Sequence, residues 1–482
     1  YGLPPPSLAP YFLVGMQAIL LLLPSLWFYR RFGIFAAFVY VAYYPVWSNA
    51  LLDFHFDHLA VLFLLGFYWA LLSHQIGWAV VSATLLMFVK EPFALQTAAC
   101  GVLLLWVAVH RKSIWELPLE LVSQRSLLFG AVWLIGVGLG YFVFATHYLL
   151  PYFSFDAERG ALDNGAFGWF GHSLGEMIHT IITKPHIIVL DIISTPGKLI
   201  YLGVVFGLLA FIPLLRPVFL IPALPLLLIA MLSRLDNYYS YANHYTVGLI
   251  IPLMFAFMYG LPRAERIWEK LFLQIRGMLQ YSRISSLSDN GDYCRRILYV
   301  LLFGWVLFGH IMLSPSPIAR LFWSDKVWSY SWRAYVPTER ETMMKGAMLE
   351  HIPDDPEVSV TTQNSVNWSH LAHRTVYMPF PMGITEPRKV IDWSSHTWDG
   401  LGVFLKTGYK PLAITYDRYA DYVVFDLKRP YFLGDRGCEW IYGECRNKEM
   451  EKLFLGWVAY TRSVYDTVFE RDGFMILRRH GV

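Results

Sequence analysis

The chain has 482 residues, of which 56% are hydrophobic and only 16% are charged. Soluble domains are about 25% charged and about 45–50% apolar, so this composition excludes an ordinary soluble protein and indicates a polytopic membrane protein with some soluble mass attached. The formal net charge of +3 is too small to suggest a nucleic-acid-binding protein.

The first ten residues are rich in proline and begin with Tyr1 instead of methionine. No basic region leads into an apolar run there, so no signal peptide is predicted. The pattern is typical of a connecting loop, and we expect a further segment to precede it.

Ten apolar runs are candidate membrane spans, because a span needs about 20 mostly apolar residues. The runs are Tyr11–Phe28, Ile34–Leu52, Leu59–Leu72, Gly77–Val89, Phe93–Val109, Leu127–Leu150, Leu199–Leu215, Val218–Leu232, Thr246–Leu261 and Ile297–Leu313. Two of them, beginning at Leu59 and Gly77, are short, and we expect them to be tilted or to extend into their flanking segments.

Lysine and arginine residues are concentrated after the first, fifth, seventh and ninth runs. Alternating the spans puts these four segments on one side, which the positive-inside rule assigns to the cytoplasm. The other side receives Asp53–His58, Lys90, Pro151–Lys198, Ser233–His244 and everything after Ser314. We therefore predict a multi-pass protein of the inner (plasma) membrane, with these polar segments facing away from the cytoplasm.

The composition changes after residue 313, where charge rises and short β-rich runs appear. These runs are Val358–Thr362, Thr375–Met378 and Tyr422–Phe425, and the helix-like stretch Glu339–His351 precedes them. We predict a transmembrane helical domain over residues 1–313 and an extracytoplasmic α/β domain over residues 314–482.

Cys438 and Cys445 lie close together in a polar part of this second domain. A C-x6-C pair in a loop can close a small disulfide in an oxidising compartment. The alternative is two unpaired thiols, and the predicted topology favours the disulfide.

Four ionisable side chains, Asp53, His55, Asp57 and His58, fall within six residues between two apolar runs. Charge placed there is costly unless it is satisfied. Asp53, His55 and Asp57 would project the same way from an extended segment, whereas on a helix Asp53 and Asp57 would share a face with His58 one step round. Carboxylates suit Mg²⁺ or Mn²⁺, and an imidazole adds transition metals. We predict that these three residues bind a divalent metal; the alternative is a helix boundary capped by aspartate.

Lys90 and Glu91 interrupt another apolar stretch, just before Pro92. Pro92 fits the first turn of a helix and Glu91 is favoured at a helix start, which is a sufficient structural explanation for both. Three interpretations of Lys90 stay open, in which it snorkels to the interface, pairs with Asp53 or holds a phosphate.

Arg234, Asn237, His244 and Tyr245 flank an aromatic group at residues 238–241. One interpretation is an interfacial aromatic belt. The other is a platform that binds a sugar or a head group, in which the rings cover apolar sugar faces and these four residues bind the substrate.

Several motifs taken together are similar to those of one family. They are Leu51-Leu-Asp-Phe-His, Val89-Lys-Glu, Asn243-His-Tyr, His351-Ile-Pro-Asp-Asp, Ser359-Val-Thr-Thr-Gln-Asn, Leu371-Ala-His-Arg and Ala420-Asp-Tyr-Val-Val-Phe-Asp-Leu. In this order they resemble the prokaryotic polytopic family of domain of unknown function 2079 (DUF2079), and the resemblance covers nearly the whole chain.

That family resembles the GT-C class of membrane glycosyltransferases, which take a sugar from a polyprenyl-phosphate carrier at the outer membrane face. The resemblance implies a GT-C-like bundle of about ten spans. It also implies Asp53, His55, Lys90 and Glu91 as catalytic residues and His244 as a further site residue. The principal acidic residue of the class, in the first outer loop, is expected on a segment before this sequence. A proline follows Glu91 where the family often has aspartate, which removes one carboxylate.

Three functions follow as hypotheses, all with membrane lipid as a partner. In the first, a glycosyltransferase, Lys90 neutralises the leaving phosphate, while Asp53 and Asp57 position a metal or the acceptor. The second is a non-catalytic structural or assembly subunit of a larger membrane complex, with proteins as partners. The third is a transporter or flippase, which the lack of a repeated half and of paired broken helices in the sequence disfavours.

Overall fold

The structure is a computed structural model. It describes residues 9–51, 54–110, 123–150, 166–171, 173–240, 244–278, 290–324, 332, 336–362, 368–371, 374–377, 380, 383–384, 418–428, 438–439, 444–445 and 448–481. The chain forms two compact units, one comprising Leu13–Leu150 with Ala161–Trp323 and the other including Ser324–Val482.

The first unit is helical. Its α-helices are α1 (Ala9–Leu22), α2 (Pro24–Phe32), α3 (Ile34–Ala42), α4 (Tyr44–Ala50), α5 (Leu59–Leu72), α6 (Ile76–Leu86), α7 (Glu91–Val109), α8 (Gln124–Phe144), α9 (Leu174–Thr183), α10 (Pro185–Ser194), α11 (Pro196–Gly207), α12 (Leu224–Leu232), α13 (Val247–Met278) and α14 (Asn290–Leu313). Short 3-10 turns lie at Phe56–His58, Ile212–Leu215, Pro217–Ala223, Asp236–Tyr239, His244–Thr246 and Arg320–Trp323, and a π turn at Ala145–Leu149 extends α8.

Within the described residues, five helical segments are long and apolar enough to cross a membrane. They are Phe12–Phe32, Glu91–Val109, Gln124–Leu149, His244–Gln274 and Asp292–Leu313, and a sixth is added if the bent pair α9 and α10 counts as one span. The multi-pass helical architecture is therefore confirmed. The predicted count of about ten spans is not confirmed, because four of the predicted runs fall on shorter apolar helices.

The predicted span Ile34–Leu52 is divided into α3 and α4. Tyr43 between them has an extended backbone (φ −68°, ψ 116°), and Pro45 lies in the first turn of α4. Proline has no N–H and its ring clashes with the preceding turn, so a continuous helix through Pro45 is unfavourable.

Helix α13 is the most enclosed of the long segments: 83% of its apolar window is buried, against 28% for the segment built on α8. Helices α7 and α8 pack closely because glycine lies at their contact. A Cβ on Gly138 would stand 2.6 Å from Ala94 O, and one on Gly101 would stand 2.8 Å from Ala131 O. Small residues of this kind let membrane helices approach each other.

The second unit is α/β. It contains α15 (Glu339–His351), α16 (Lys448–Val464) and the strands β1 (Ser359–Thr362), β2 (Thr375–Tyr377), β3 (Tyr422–Asp426), β4 (Cys438–Glu439), β5 (Glu444–Cys445), β6 (Tyr465–Arg471) and β7 (Phe474–Arg479), with a 3-10 turn at Trp368–Leu371.

Five of these strands form one sheet in the order β2-β1-β3-β7-β6. Strand β1 runs parallel to β2 and β3, whereas β7 is antiparallel to β3 and β6. Alternate residues of β3 face opposite sides. Val423 and Phe425 join the core that contains Trp457 of α16, and Val424 joins the core that contains Met348 of α15. One helix therefore covers each face of the sheet.

Strands β4 and β5 form a separate antiparallel pair in which Cys438 lies opposite Cys445. The backbone register thus makes the two cysteines direct neighbours. The disulfide between them stays a prediction.

Candidate functional site

The polar segment before α5 leads from extended chain into a 3-10 turn. His55 has extended backbone angles (φ −130°, ψ 135°), and Phe56–His58 form the turn that starts the helix. The turn carries Asp57 into the interior, where only 7% of the residue is exposed. Asp53 lies outside the described residues.

Asp57 lies between two basic side chains from other parts of the chain. Its Oδ2 accepts a hydrogen bond from Lys90 Nζ at 3.3 Å and lies 3.7 Å from His244 Nε2. Lys90 precedes α7 in an extended conformation, and His244 opens the turn before α13. Three separate segments therefore converge on one carboxylate.

Two ring contacts complete this group. The imidazoles of His55 and His244 stack with centroids 3.9 Å apart and an interplanar angle of 21°. The ammonium of Lys90 lies 5.6 Å from the centroid of the Tyr245 ring, a cation–π distance. We call His55, Asp57, Lys90, His244 and Tyr245 the Asp57 cluster.

Buried polar residues hold the backbone of this cluster in place. Gln17 donates through Nε2 to Asn49 O at 2.8 Å and accepts from the His55 N–H at 3.0 Å. Asn49 donates through Nδ2 to Thr246 Oγ1 at 2.9 Å. These bonds tie both histidine-bearing segments to α1 and α4. Sequence reasoning missed Gln17 and Asn49, although a lone amide in an apolar run is itself a signal.

The charges of the cluster are unevenly shielded. The Asp57 side chain is 9% exposed and the Lys90 side chain 34% exposed, so Lys90 is the more accessible partner. An ammonium has three hydrogens, and Asp57 receives one of them. The cluster therefore presents one partly exposed positive charge beside a buried negative one.

The described residues alone do not form the predicted metal site. Among them, no three His, Cys, Asp or Glu side chains are grouped so that they could hold a metal ion. Asp57 is occupied by Lys90. Because Asp53 lies outside the described residues, a metal site at Asp53, His55 and Asp57 stays a prediction.

Glu91 begins α7 and is half-buried beside Lys90. Within the described part of the chain, no ion pair joins it to a member of the Asp57 cluster. Asn237 is exposed on the 3-10 turn Asp236–Tyr239.

Arg234 belongs to a second polar group. Its Nε lies 3.5 Å from Asp191 Oδ1, and its guanidinium lies 4.5 Å from the Trp169 ring centroid. Lys198, which is 1% exposed, donates to Asp191 Oδ2 at 2.5 Å and to Met231 O at 2.6 Å. We call Asp191, Lys198, Arg234 and Trp169 the Asp191 cluster. Sequence reasoning missed Asp191 and Lys198, which lie in a segment assigned to a long loop.

Aromatic side chains connect the surroundings of the two clusters. Tyr238 stacks on Tyr245 with centroids 4.6 Å apart and contacts Phe167 edge-on at 5.8 Å. Phe167 in turn contacts Phe170, which lines a cavity of about 590 Å³ together with Trp169. The aromatic group predicted as a belt or a sugar platform thus extends from the Asp57 cluster toward this cavity.

A search of curated proteins found no match. A family model described as "Predicted membrane protein (DUF2079)" matches residues 18–399. This match covers most of the chain, including every described member of both clusters. The chain therefore belongs to the DUF2079 family of predicted membrane proteins, as the sequence motifs indicated.

Proposed function

We propose that this protein is a GT-C-type glycosyltransferase that moves a sugar from a polyprenyl-phosphate carrier to an acceptor at the outer face of the inner (plasma) membrane. The observation that carries the proposal is the placement of Lys90. Its side chain is one-third exposed, and its ammonium lies over the Tyr245 ring and donates to one carboxylate oxygen, Asp57 Oδ2.

In the proposed reaction, the bond between the sugar C1 and the phosphate oxygen breaks while a bond from C1 to the acceptor oxygen forms. The carrier leaves as polyprenyl phosphate with the electron pair of the broken bond. Lys90 neutralises the charge that develops there; for comparison, removing one preorganised donor to a developing oxyanion costs about 2.7–4 kcal/mol. Asp57 orients the ammonium through the hydrogen bond at 3.3 Å. The acceptor proton passes to a catalytic base, which the resemblance to the GT-C class makes an acidic side chain.

The aromatic residues supply a surface for the sugar. Tyr238 and Tyr245 stack on each other beside Lys90. An aromatic ring covers the apolar face of a sugar, while Asn237 and Arg234 lie in the same stretch and supply hydrogen-bond donors. Asp53 and Glu91 remain proposed site residues, with Asp53 and His55 as ligands of a Mg²⁺ or Mn²⁺ ion; no step here depends on that ion.

The test is transfer of labelled sugar in membrane vesicles, with a panel of synthetic polyprenyl-phosphate hexoses and pentoses as donors. Lys90→Ala is expected to reduce transfer by about 100-fold or more while the protein accumulates normally, as for loss of one charge-stabilising group. Lys270→Ala, at an exposed lysine of α13, is the matched control and should transfer at the wild-type rate. Equal rates in the two variants, or no transfer by the wild type from any donor, would contradict the proposal.

One observation favours the second function, a structural or assembly subunit. Asp57 Oδ2 is already shared by Lys90 and His244, and buried ion pairs also occur in purely structural networks. Under this function, Lys90→Ala would leave transfer in the cell unchanged and would instead reduce co-purification with partner proteins.

The proposed sidedness has its own test. The distribution of lysine and arginine supports an extracytoplasmic second unit. Alkaline phosphatase fused after Val482 should be active, because it folds only outside the cytoplasm. An inactive phosphatase together with an active cytoplasmic reporter at the same position would indicate that the second unit faces the cytoplasm.

A further inference from the structure

Helices α9 and α10 are apolar but have no partner along much of their surface. Each has ten residues, and they meet at Lys184 with an angle of 86° between them. Their exposed apolar side chains are Ile178, Ile181, Ile182, Ile187, Val189, Leu190 and Ile193. By length and composition the pair is either one broken span or a segment that enters and leaves on the same side.

The start of the pair is tied to the end of α12. The Arg234 N–H donates to Ala166 O at 2.9 Å, and Trp169 Nε1 donates to Leu232 O at 2.8 Å. These contacts lie five to eight residues before α9 begins.

The end of the pair is tied to the same place. Lys198 Nζ donates to Met231 O at 2.6 Å and to Asp191 Oδ2, and Asp191 in the last turn of α10 pairs with Arg234. Both ends are therefore bonded to four consecutive residues, Met231–Arg234.

This arrangement argues against a crossing, because the anchored residues on the two sides of the pair lie beside one another at Met231–Arg234. Four residues span at most about 14 Å even when fully extended. A segment that crosses the hydrocarbon core must separate its ends by about 30 Å. The charge distribution agrees: in the ten-span alternation predicted from the sequence, one extra crossing would move the basic segments after residues 215 and 261 to the side opposite Arg30 and Arg31.

We propose that α9 and α10 form a membrane-embedded element that does not cross the bilayer, and that lipid of the leaflet adjoining Arg234 covers its apolar side chains. Two features point to lipid as the occupant. The exposed residues are aliphatic on both helices, with Ile182 72% and Leu190 61% exposed. Lys184 and His186 at the bend are exposed polar groups that can reach the head-group layer while their neighbours remain among acyl chains.

The first experiment locates the ends of the pair. In full-length protein whose four native cysteines are replaced, single cysteines are placed by Gly175→Cys and Ser194→Cys, with Ser123→Cys as the opposite-side control. Residue 175 has open space for a side chain, and Ser194 and Ser123 are exposed. Sealed vesicles of one orientation are treated with a membrane-impermeant maleimide.

Residues 175 and 194 are expected to label from the same side, and residue 123 only from the other. Labelling of 175 and 194 from opposite sides would overturn the proposal. The Ser123→Cys variant also reports whether the cysteine-substituted protein is correctly inserted.

The second experiment identifies what covers the helices. Bimane attached after Ile182→Cys or Leu190→Cys is reconstituted in phosphatidylcholine–phosphatidylglycerol vesicles, and quenching by nitroxide-labelled phospholipid is compared with quenching by aqueous iodide. The lipid quencher is expected to be the stronger at both positions. Stronger iodide quenching, or shielding from both quenchers by a protein partner, would overturn the assignment to lipid.

Discussion

Each unit of the molecule contains a buried aspartate paired with a basic side chain, but the two pairs differ in geometry. In the second unit, Asp426 is 0% exposed and accepts two hydrogen bonds from Arg340, at 2.7 and 3.1 Å. It also accepts from the backbone N–H of Lys428 at 3.0 Å. In the helical unit, Asp57 receives one hydrogen bond from a partly exposed lysine at 3.3 Å.

The difference distinguishes an ion pair that stabilises the fold from an ion pair whose cation is available to bind a ligand. A bidentate guanidinium matches both oxygens of a carboxylate and leaves little capacity for another anion. A single ammonium contact leaves donors and charge available. By this reasoning, the Arg340–Asp426 pair stabilises the α/β unit, whereas the Lys90–Asp57 pair leaves a positive charge available to an anionic ligand.

The largest expected effect is on stability, in the second unit. Arg340→Ala leaves the Asp426 carboxylate buried without its partner, and breaking a buried pair in this way costs about 3–5 kcal/mol. We expect rapid proteolysis within residues 338–481 of the full-length protein in detergent, under conditions in which the wild-type chain is resistant. Arg471→Ala, at an exposed position of β6, is the control and should resist as the wild type does. An Arg340→Ala protein that resists proteolysis would show that the Arg340–Asp426 pair is not needed for stability, and the proposed difference between the two ion pairs would be wrong.

A smaller stability effect is expected in the helical unit. Lys90→Met removes a cation whose side chain is 34% exposed, so the space that it leaves is open to water that can solvate Asp57. The cost should be about 1 kcal/mol or less, as for partly exposed ion pairs. Thermal unfolding in the same detergent measures it. A loss comparable to that of Arg340→Ala would indicate that the Asp57 cluster is structural and would favour the subunit function.

The contact of the Tyr245 ring with Lys90 should have a smaller effect, which we expect on the rate of sugar transfer. A cation–π contact at a partly exposed site is worth about 0.5–1 kcal/mol, which corresponds to roughly a two- to five-fold change in rate. We therefore expect Tyr245→Leu to lower sugar transfer by that factor and Tyr245→Phe to retain it, in the vesicle assay. If the phenylalanine variant loses as much as the leucine variant, the hydroxyl matters and the ring does not.

Elements bounded by local signals were predictable from the sequence. Helix α5 has the predicted bounds Leu59–Leu72, because polar His58 and Ser73 border an uninterrupted apolar run. Helix α15 has the predicted bounds Glu339–His351, and its capping box at Thr338 and Glu341 is a local pattern. The sequence placed the segments of Asp57, Lys90 and His244 on the same side of the membrane, but it offered Asp53 as the partner of Lys90 and did not predict the contacts to Asp57.

Features that depend on distant contacts were missed. Helices α9 and α10 were assigned to a loop because Lys184, Pro185 and Asp191 interrupt their apolar runs, and only the fold shows that Asp191 is neutralised by Lys198. Gln17 and Asn49 are single amides whose partners lie up to 197 residues away. Arg234 was grouped with His244 by proximity in sequence, yet it contacts Asp191 and Trp169.

The smallest expected effect is a pH dependence in the turn between β6 and β7, beside the Arg340–Asp426 pair. Lys428 and Arg340 lower the pKa of the Asp472 carboxyl below its usual value of 3.8. Because the folded state holds this carboxyl ionised, its contribution to stability is fully present above pH 3.8 and is lost as the pH falls through the lower folded pKa.

Asp472→Asn should therefore make the stability of the protein fall less steeply with decreasing pH below pH 3.8. Asparagine is the matched replacement because residue 472 has φ +52°, which asparagine tolerates. Protease resistance measured at a series of pH values gives this slope for the variant and the wild type. An unchanged slope would show that the exposed ion pairs of Asp472 contribute nothing to stability and that the buried Arg340–Asp426 pair supplies the stabilisation.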